Sequence, residues 1–363
     1  MLFDSIPRAF GLDIGDHALK LAVIGRQRDL RGKIKYIIKN YGEIALPPGL
    51  IVDGEIKDPI KVRMYIKTLL HQAVRGEVKL RGVIASLPES KTFLKEIIIP
   101  KIINGSLLPL IGEELEKQIP LAIDELYLDW QEVETVSGGT HSKILVSAAP
   151  KTLIDSYTSL LESSGLIPVV LEPESLALVR ATIDESENYP PEETVVIVDI
   201  GAEKTNIIFW QNGTVRLSIT SPISGQVLTA AIAEKEKISM AEAEKIKFQC
   251  GLDPEKCGER IRPIVLANIN ELIKNTRAAL RFNQEHLSID AKMEKIILSG
   301  GGANLSHLEN VLSQELKIKV RRATAPTNFQ KPKYLAFGPE KYLSYATAVG
   351  LAKRGAENKI FSE

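Results

Sequence analysis

Cysteine is scarce in this sequence: only Cys250 and Cys257 occur among 363 residues, and no histidine lies close to either of them. This scarcity excludes a disulfide-rich secreted fold. Without nearby histidines, the pair also argues against a zinc site. We therefore expect two thiols that are buried or idle and form no disulfide bond.

Long hydrophobic runs are missing as well. The longest apolar stretch, residues 97–111, is interrupted by two prolines, a lysine and an asparagine, whereas a membrane-spanning helix needs about 18 to 20 apolar residues. The first residues contain Asp4 and Pro7 without an apolar run, so they do not form a signal peptide. These absences predict a cytoplasmic protein without a transmembrane helix.

The sequence also lacks an excess of either charge. Lys+Arg and Asp+Glu both number 46, so the formal net charge at pH 7 is zero. That balance argues against a nucleic-acid binder that relies on general attraction to phosphate. Hydrophobic residues make up 44% and charged residues 25%, as in ordinary globular proteins, and the length allows about two domains.

An apolar strand that ends in aspartate and glycine occurs twice. Residues 195–201 read VVIVDIG, and residues 9–15 read AFGLDIG. Because an unpaired charge inside such a strand would cost several kcal/mol, we expect each carboxylate to lie at the mouth of its strand. The repeat predicts two lobes of related fold that present Asp13 and Asp199 to one shared cleft.

The sequence predicts an α/β protein with two lobes and an inserted α+β subdomain. A polar, proline-containing stretch at residues 185–194 marks the connection between the halves. The predicted divisions are a first lobe, an inserted subdomain with its own small sheet, a return to the first lobe and a second lobe. Their bounds are residues 1–90, 91–165, 166–190 and 191–363, and a helix at residues 345–354 is expected to close the second lobe.

Two carboxylates that face a triphosphate require a cation. At about 4 Å and an effective dielectric near 20, each like-charge pair costs around 4 kcal/mol. We therefore predict that Asp13 and Asp199 hold a hydrated Mg²⁺, and that backbone N–H groups at Gly15 and Gly201 meet phosphate oxygens. Lys20 is either a phosphate contact or a solvated strand residue.

Two further segments have the composition of a nucleotide site. Gly300, Gly301 and Gly302 follow an apolar strand, so they form either a ligand floor or a flexible turn. Glu244 and Lys247 are three residues apart on one helix, where they form either a surface ion pair or a hydrogen-bonding edge for ribose or adenine.

Sequence motifs across most of the chain resemble the actin, heat-shock chaperone and sugar-kinase superfamily. Its phosphate, connecting and adenosine motifs are matched, in order, by DIGDHALK, LEPESLAL, VVIVDIGAEKTN, ILSGGGANL and YATAVGLAKR. Within it, the chain resembles the PilM family, the actin-like proteins of type IV pilus assembly, in the segments VDGEIKDP, ASLPES, ELEKQIPLAIDELYLDWQ and SAAPKTLIDSY. The resemblance implies an actin-like ATPase fold, with the insertion placed as in FtsA and PilM.

The resemblance also implies ATP and Mg²⁺ as cofactors. Glu172, facing the attacking water, and Asp199 are the implied catalytic residues, with weak or absent hydrolysis. The implied nucleotide contacts are Asp13, Gly15 and Lys20 at the first phosphate loop, Asp199, Gly201 and Thr205 at the second, and Gly300, Gly301 and Gly302 at the adenosine, with Glu244 and Lys247 beside them.

The implied partner is PilN, a protein of the inner membrane. The resemblance implies that a PilM-like chain docks the N-terminal tail of PilN in a groove beside the inserted subdomain. It would thereby lie at the inner face of the cytoplasmic membrane and help to build the pilus platform used in twitching motility, with self-association possible.

Three residues depart from the family pattern. Asp16 and His17 stand where relatives place Ser or Thr, which removes a hydroxyl and adds a negative charge beside phosphate. Lys204 stands where a small hydroxyl residue is common, and its charge would offset that of Asp16. For His17 we expect a plain turn residue.

Two alternative functions stay open. A small-molecule phosphotransferase would need an aspartate base for the substrate hydroxyl, for which the sequence offers no separate candidate. An FtsA-like filament with a membrane tether would need an amphipathic C-terminal helix, and residues 355–363, GAENKIFSE, are short and mixed in character.

Overall fold

The computed structural model describes residues 8–101, 106–135, 140–256, 258–286, 292–330 and 335–357. The strands are β1 (Ala9–Ile14), β2 (Ala18–Arg28), β3 (Ile34–Ala45), β4 (Ile51–Val52), β5 (Glu55–Ile56), β6 (Gly82–Leu87), β7 (Phe93–Pro100), β8 (Leu126–Thr135), β9 (His141–Pro150), β10 (Ile167–Pro173), β11 (Glu193–Ile200), β12 (Thr205–Gln211), β13 (Thr214–Ser221), β14 (Lys292–Ser299), β15 (Lys319–Arg322) and β16 (Phe329–Gln330). The helices are α1 (Pro59–His71), α2 (Leu108–Glu116), α3 (Lys151–Ser163), α4 (Glu174–Thr182), α5 (Gly225–Glu236), α6 (Met240–Cys250), α7 (Gly258–His286), α8 (Leu308–Leu316), α9 (Pro339–Ser344) and α10 (Ala346–Glu357). None of the helices in these ranges has the length and apolar character to cross a membrane.

The first lobe is built on a six-stranded sheet with the order β10-β6-β1-β2-β3-β16. Its central strands β1 and β6 are almost entirely buried and pair in parallel, which explains their continuous apolar sequences. β1 pairs with β2 in antiparallel register, so that Asp13 lies opposite Lys20. The predicted apolar strand that carries Asp13 near its end is thus confirmed.

The second lobe is built on β11, β12, β13, β14 and β15. All of β11 after Glu193 is buried between its neighbours β12 and β14. A turn after Ile200 divides the apolar stretch of residues 194–210 into two strands, β11 and β12. Three helices follow the strand β13 along the chain, namely α5, α6 and α7. A capping box at Ser239 begins α6, and Gly251 ends it.

The strands of the predicted insertion do not form a separate sheet. β7, β9 and β8 extend the second-lobe sheet, because β7 pairs with β13 at Lys95 and Leu217. A buried ion pair between Glu96 and Arg216 lies at the same junction. The expectation of an independent small sheet is therefore wrong, although these strands and α2 have an apolar cluster of their own. The free backbone N–H and C=O groups at the edge of a sheet form hydrogen bonds most easily with a neighbouring strand.

The helix α3, which the sequence assigned to the insertion, packs in the core of the first lobe. Tyr157 and Leu160 belong to the same apolar cluster as Phe10 and Ile66. The Tyr157 hydroxyl also donates a hydrogen bond of 2.8 Å to the carbonyl oxygen of Gly54. The domain bounds given above stay predictions, but α3 is held mainly by the first lobe.

The last helix, α10, does not close the second lobe as expected. It packs against β1, β2 and α4, and Ala348, Val349 and Ala352 lie in an apolar cluster with Ala22 of β2. Glycine permits this close approach, since a Cβ at Gly350 would collide with backbone atoms of Ala177. Packing of small residues, which a sequence pattern does not reveal, therefore decides the position of α10.

Cys250 is disulfide-bonded, so the expectation of an idle thiol is wrong for this residue. It is the last residue of α6, and Gly251 has a positive φ of 56°, which reverses the chain at once. Cys257 lies outside the described residues.

The glycine contact between α10 and α4 generates a stability prediction. Gly350→Ala should lower the free energy of unfolding by about 2 kcal/mol or more, because a backbone collision outweighs the helix propensity of about 1 kcal/mol that alanine gains. Gly338→Ala is the matched control, since nothing lies within 4 Å of its added Cβ. Urea unfolding measures both, and equal stability of the two variants would contradict the close packing of α10.

Candidate functional site

A cleft between the lobes collects most of the residues that the sequence selected. It is bordered by the β1–β2 turn, the β11–β12 turn and the segment after β14. The selected residues that line it are Asp13, Gly15, Lys20, Asp199, Gly201, Glu244, Lys247, Gly300, Gly301 and Gly302. The structure therefore brings both aspartates and all five selected glycines to one place.

The two phosphate-loop candidates have the same local geometry. In the first turn the N–H of Gly15 donates to the Ala18 carbonyl oxygen at 3.1 Å, and in the second the N–H of Gly201 donates to that of Lys204 at 2.9 Å. Each glycine thus closes its own turn. Phosphate oxygens would be met by N–H groups inside these turns rather than by those of the glycines themselves.

The aspartates lie at the ends of their strands with elevated pKa values. Burial, together with the nearby charge of Asp13, raises the pKa of Asp199 to about 6, although Ser299 and the charge of Lys20 act in the opposite direction. Burial likewise raises the pKa of Asp13, whose carboxylate accepts a hydrogen bond of 3.0 Å from Ser86 Oγ. The cleft residues by themselves are thus an unfavourable environment for two ionised carboxylates.

Two glutamates that the sequence analysis missed also line the cleft. Glu174 is the first residue of α4, and its carboxylate accepts a hydrogen bond of 2.8 Å from Asn206. Burial, followed by the charge of Asp13, raises the pKa of Glu174 well above its usual value. Glu89 accepts a hydrogen bond of 2.9 Å from the backbone N–H of Ser175, and burial raises its pKa too.

The structure does not place Glu172 in the cleft. Its carboxylate is 2% exposed and pairs with Arg180 at 2.8 Å and with Arg354. Burial alone would raise the pKa of Glu172, but the two arginines outweigh burial and hold the pKa below its usual value. β10 ends between the two glutamates, so Glu174 reaches the cleft and Glu172 does not. Both glutamates lie in the motif LEPES, and this motif was the sequence signal from which Glu174 could have been found.

Thr205 is the other selected residue that does not line the cleft. It begins β12, is fully buried, and its hydroxyl donates a hydrogen bond of 2.6 Å to the Ile223 carbonyl oxygen. Lys20, in contrast, lines the cleft, where its Nζ donates to the Ser344 carbonyl oxygen at 2.8 Å and lies 3.9 Å from Glu43. Lys20 is therefore not the solvated strand residue that was considered as the alternative.

The opposite wall of the cleft is formed by α6. Lys247 is 3% exposed, and its Nζ donates to Gly225 O, Thr229 Oγ1 and Glu244 Oε2 at 3.0, 2.8 and 2.7 Å. Burial lowers its pKa. The ion pair between Glu244 and Lys247 therefore forms, but Lys247 is buried in the wall of the cleft rather than on the surface. Beside it, Phe248 lines the cleft with 41% of its surface exposed, a flat apolar face that the sequence analysis did not select.

The glycine triplet packs tightly against the end of β11. A Cβ at Gly300 or Gly302 would collide with Ile200, and Gly300 has a φ of 81°. Gly301 has nothing within 4 Å of an added Cβ, so it faces open space. Glycine is thus required for chain packing at two positions, and it leaves room for a ligand at the third.

Contacts between side chains join the β11–β12 turn of the second lobe to two turns of the first lobe, β1–β2 and β4–β5, at the mouth of the cleft. His17 contacts Glu203, and the Nζ of Lys204 bonds to the carboxylate of Asp53. We call these two contacts the interlobe bridge. His17 is therefore more than a plain turn residue. The Asp16 carboxylate accepts the N–H groups of residues 53 and 54 at 2.8 and 3.0 Å, so Lys204 does not offset its charge directly.

The donor set fits a nucleotide-bound cation better than a metal held by protein alone. Within the ranges that the structure describes, no three acidic, histidine or cysteine side chains converge on a common point. Mg²⁺ commonly keeps its water molecules and takes one or two carboxylates together with phosphate oxygens. Asp13 and Asp199 suit that arrangement.

The raised pKa of Asp199 predicts an unusual dependence of stability on pH. Because its pKa in the folded protein, about 6, exceeds the usual 3.8, its contribution to stability is full below pH 3.8 and is lost as pH rises through about 6. Asp199→Asn should therefore stabilise the metal-free protein at pH 8 by on the order of 2 to 3 kcal/mol, and the gain should vanish near pH 4.

Thermal unfolding across this pH range tests that expectation, with the exposed Asp124→Asn as a control. A variant that is less stable than the parent at pH 8 would contradict the expectation, because it would show that the surroundings of Asp199 favour its ionised carboxylate.

Comparison with known proteins supports the assignment of these motifs. A sequence model described as type IV pilus assembly protein PilM matches residues 11–356. The structure of a PilM–PilN type IV pilus biogenesis complex is similar to this chain with a TM-score of 0.80 and 25% identity, covering 97% of this chain and 99% of that one. The PilM resemblance is thus confirmed.

More distant relatives share the fold. The structure of MreB5 of Spiroplasma citri bound to ADP has a TM-score of 0.57 at 12% identity and covers 97% of this chain and 98% of that one. The cell division protein FtsA of Escherichia coli strain K12 is 26% identical over 247 residues, which are 61% of this chain and 57% of FtsA. The match thus spans little more than half of that relative. The two-lobed, actin-like α/β fold is confirmed, and the chain belongs to the PilM family of type IV pilus assembly proteins.

Proposed function

We propose that this protein binds ATP with Mg²⁺ in the cleft and docks the cytoplasmic N-terminal tail of a PilN-like inner-membrane protein. In this role it is a cytoplasmic part of the platform that supports the pilus, attached to the inner face of the membrane through its partner. The observation that carries the nucleotide proposal is the convergence of Asp13 and Asp199, each beside a tight glycine turn, in one cleft.

Each wall of the cleft has a separate task in nucleotide binding. Asp13 and Asp199 hold the water ligands of Mg²⁺, which neutralises charge between the carboxylates and the phosphates. Lys20 adds a positive charge beside the phosphates. The base lies against Phe248 and the open backbone at Gly301, an arrangement that suits a flat aromatic ring.

We propose that Glu174, rather than Glu172, takes the water-facing role, and its place in the cleft supports this. Glu174 lines the cleft beside Asp13, and burial raises its pKa, which makes its carboxylate a stronger base than that of an ordinary glutamate. Its carboxylate is already bonded to Asn206, which restrains it. We expect slow hydrolysis, and we expect Glu174→Gln to lower the rate without loss of ATP binding.

The nucleotide proposal is tested by calorimetric titration with ATP and Mg²⁺. Lys20→Met should weaken binding roughly tenfold or more, because a charge-assisted contact to phosphate is lost. Lys67→Met is the matched control, since Lys67 is an exposed lysine of α1 that does not line the cleft. Binding that survives Lys20→Met unchanged, or that needs no Mg²⁺, would contradict the proposed site.

The partner surface is proposed at the border between the insertion and the first lobe. β8 is an edge strand of the eight-stranded sheet, and Tyr127 and Trp130 on it are 47% and 37% exposed. Tyr127 also spans the border, because its hydroxyl donates to Asp155 of α3 at 3.2 Å and Lys151 lies over its ring. An extended tail suits such an edge, where it gains backbone hydrogen bonds and aromatic contacts.

Fluorescence anisotropy with a labelled PilN-like tail peptide tests this surface. Tyr127→Ala and Trp130→Ala should each weaken binding at least about fivefold, as expected when an exposed aromatic contact is removed. Met240→Ala is the control, since Met240 is 45% exposed on α6 of the second lobe. An absence of binding both with and without ATP and Mg²⁺ would refute the partner and leave the nucleotide proposal intact.

A further inference from the structure

The tip of the hairpin formed by β2 and β3 concentrates positive charge. From residue 26 to residue 35 the sequence holds five basic residues and one acidic residue, although the whole chain has a formal net charge of zero. The basic residues are Arg26, Arg28, Arg31, Lys33 and Lys35. None of them makes a salt bridge within the described residues, whereas many other lysines and arginines there do.

The single acidic residue of the tip is used to hold the turn. Asp29 Oδ1 accepts the backbone N–H groups of Arg31 and Lys33 at 2.8 and 2.9 Å. Gly32, with a φ of 76°, completes the turn. The carboxylate therefore fixes the backbone. Arg28 and Lys35 donate hydrogen bonds to the carbonyl oxygens of Gly32 and Thr327, at 3.4 and 3.2 Å, and no carboxylate of the described residues neutralises the positive side chains of the tip.

An apolar side chain stands at the apex of this charged tip. Leu30 is the most exposed large hydrophobic side chain of the described residues, with a relative exposure of 108%. It follows Asp29 directly, so the turn that Asp29 stabilises holds Leu30 outward. A fully exposed leucine among unpaired basic side chains contributes nothing to the core of the protein.

The tip is remote from the nucleotide cleft. β2 begins at Ala18, beside the first phosphate turn, and ends at Arg28, at the tip. Ten residue steps of roughly 3.3 Å separate these ends by about 30 Å. No residue from 26 to 35 lines the cleft.

We propose that the β2–β3 tip is a contact site for an anionic lipid surface. The basic side chains meet lipid phosphates, and Leu30 enters the interface between headgroups and acyl chains. Nucleic acid fits the tip less well, because a leucine offers no aromatic face on which a base stacks. The site is independent of the tail-docking surface and of the nucleotide.

Co-sedimentation with vesicles tests the charge requirement. The parent protein should bind phosphatidylcholine vesicles that contain phosphatidylglycerol more tightly than vesicles of phosphatidylcholine alone, and salt should weaken this binding. Reversal of three charges by Arg28→Glu, Arg31→Glu and Lys33→Glu should reduce binding at least about tenfold.

The matched control carries the same change in net charge on exposed helical lysines of the second lobe, Lys235→Glu, Lys245→Glu and Lys274→Glu. Equal loss in the two triple variants, or equal binding of the parent protein to both kinds of vesicle, would overturn the proposal. Retained ATP binding by the hairpin variant shows that it is folded.

A second measurement tests the role of the apex. Leu30→Trp should show a shift of its fluorescence to shorter wavelength with anionic vesicles, relative to the parent protein, and Leu30→Ser should weaken binding. A duplex DNA of mixed sequence serves as the competing polyanion. No shift at residue 30, or tighter binding of the tip to DNA than to the anionic vesicles, would refute lipid contact.

Discussion

The repulsion among buried carboxylates governs the cleft. Asp13, Asp199, Glu174 and Glu89 all line one crevice between the lobes, and burial raises the pKa of each. A fold that had only to be stable would not collect four such groups, since like charges at short range cost several kcal/mol. The arrangement becomes favourable when a cation and its phosphate ligands occupy the crevice. The cleft is therefore prepared for a ligand at the expense of stability.

The cleft keeps its shape because the elements behind it are tied together. Glu172 is buried between Arg180 of α4 and Arg354 of α10, the helices that meet at Gly350. Removal of either arginine would leave part of a buried charge unpaired, which typically costs 3 to 5 kcal/mol. Glu172 therefore fixes the first lobe behind the site. Glu174 is the first residue of α4, so the ion pairs of Glu172 with Arg180 and Arg354 also hold Glu174 in its orientation.

How far the site was predictable follows from the physics of each residue. Asp13 and Asp199 were predictable, because an apolar buried strand tolerates a carboxylate only at its end. Glu172 and Glu174 were not separable, since a boundary between β10 and α4 decides which one faces the cleft. The position of α10 was hidden too, because it depends on a glycine contact with Ala177 that exists only in three dimensions.

The interlobe bridge is too weak to prevent nucleotide binding, as a comparison of the free energies involved indicates. His17 and Glu203 are 30% and 45% exposed, and Lys204 and Asp53 are 34% and 48% exposed. Ion pairs between side chains so open to water contribute about 0 to 1 kcal/mol each. Relief of the repulsion among the cleft carboxylates by a bound cation is worth more than that. The departures at residues 17 and 204 are therefore compatible with the binding chemistry proposed for Asp13 and Asp199.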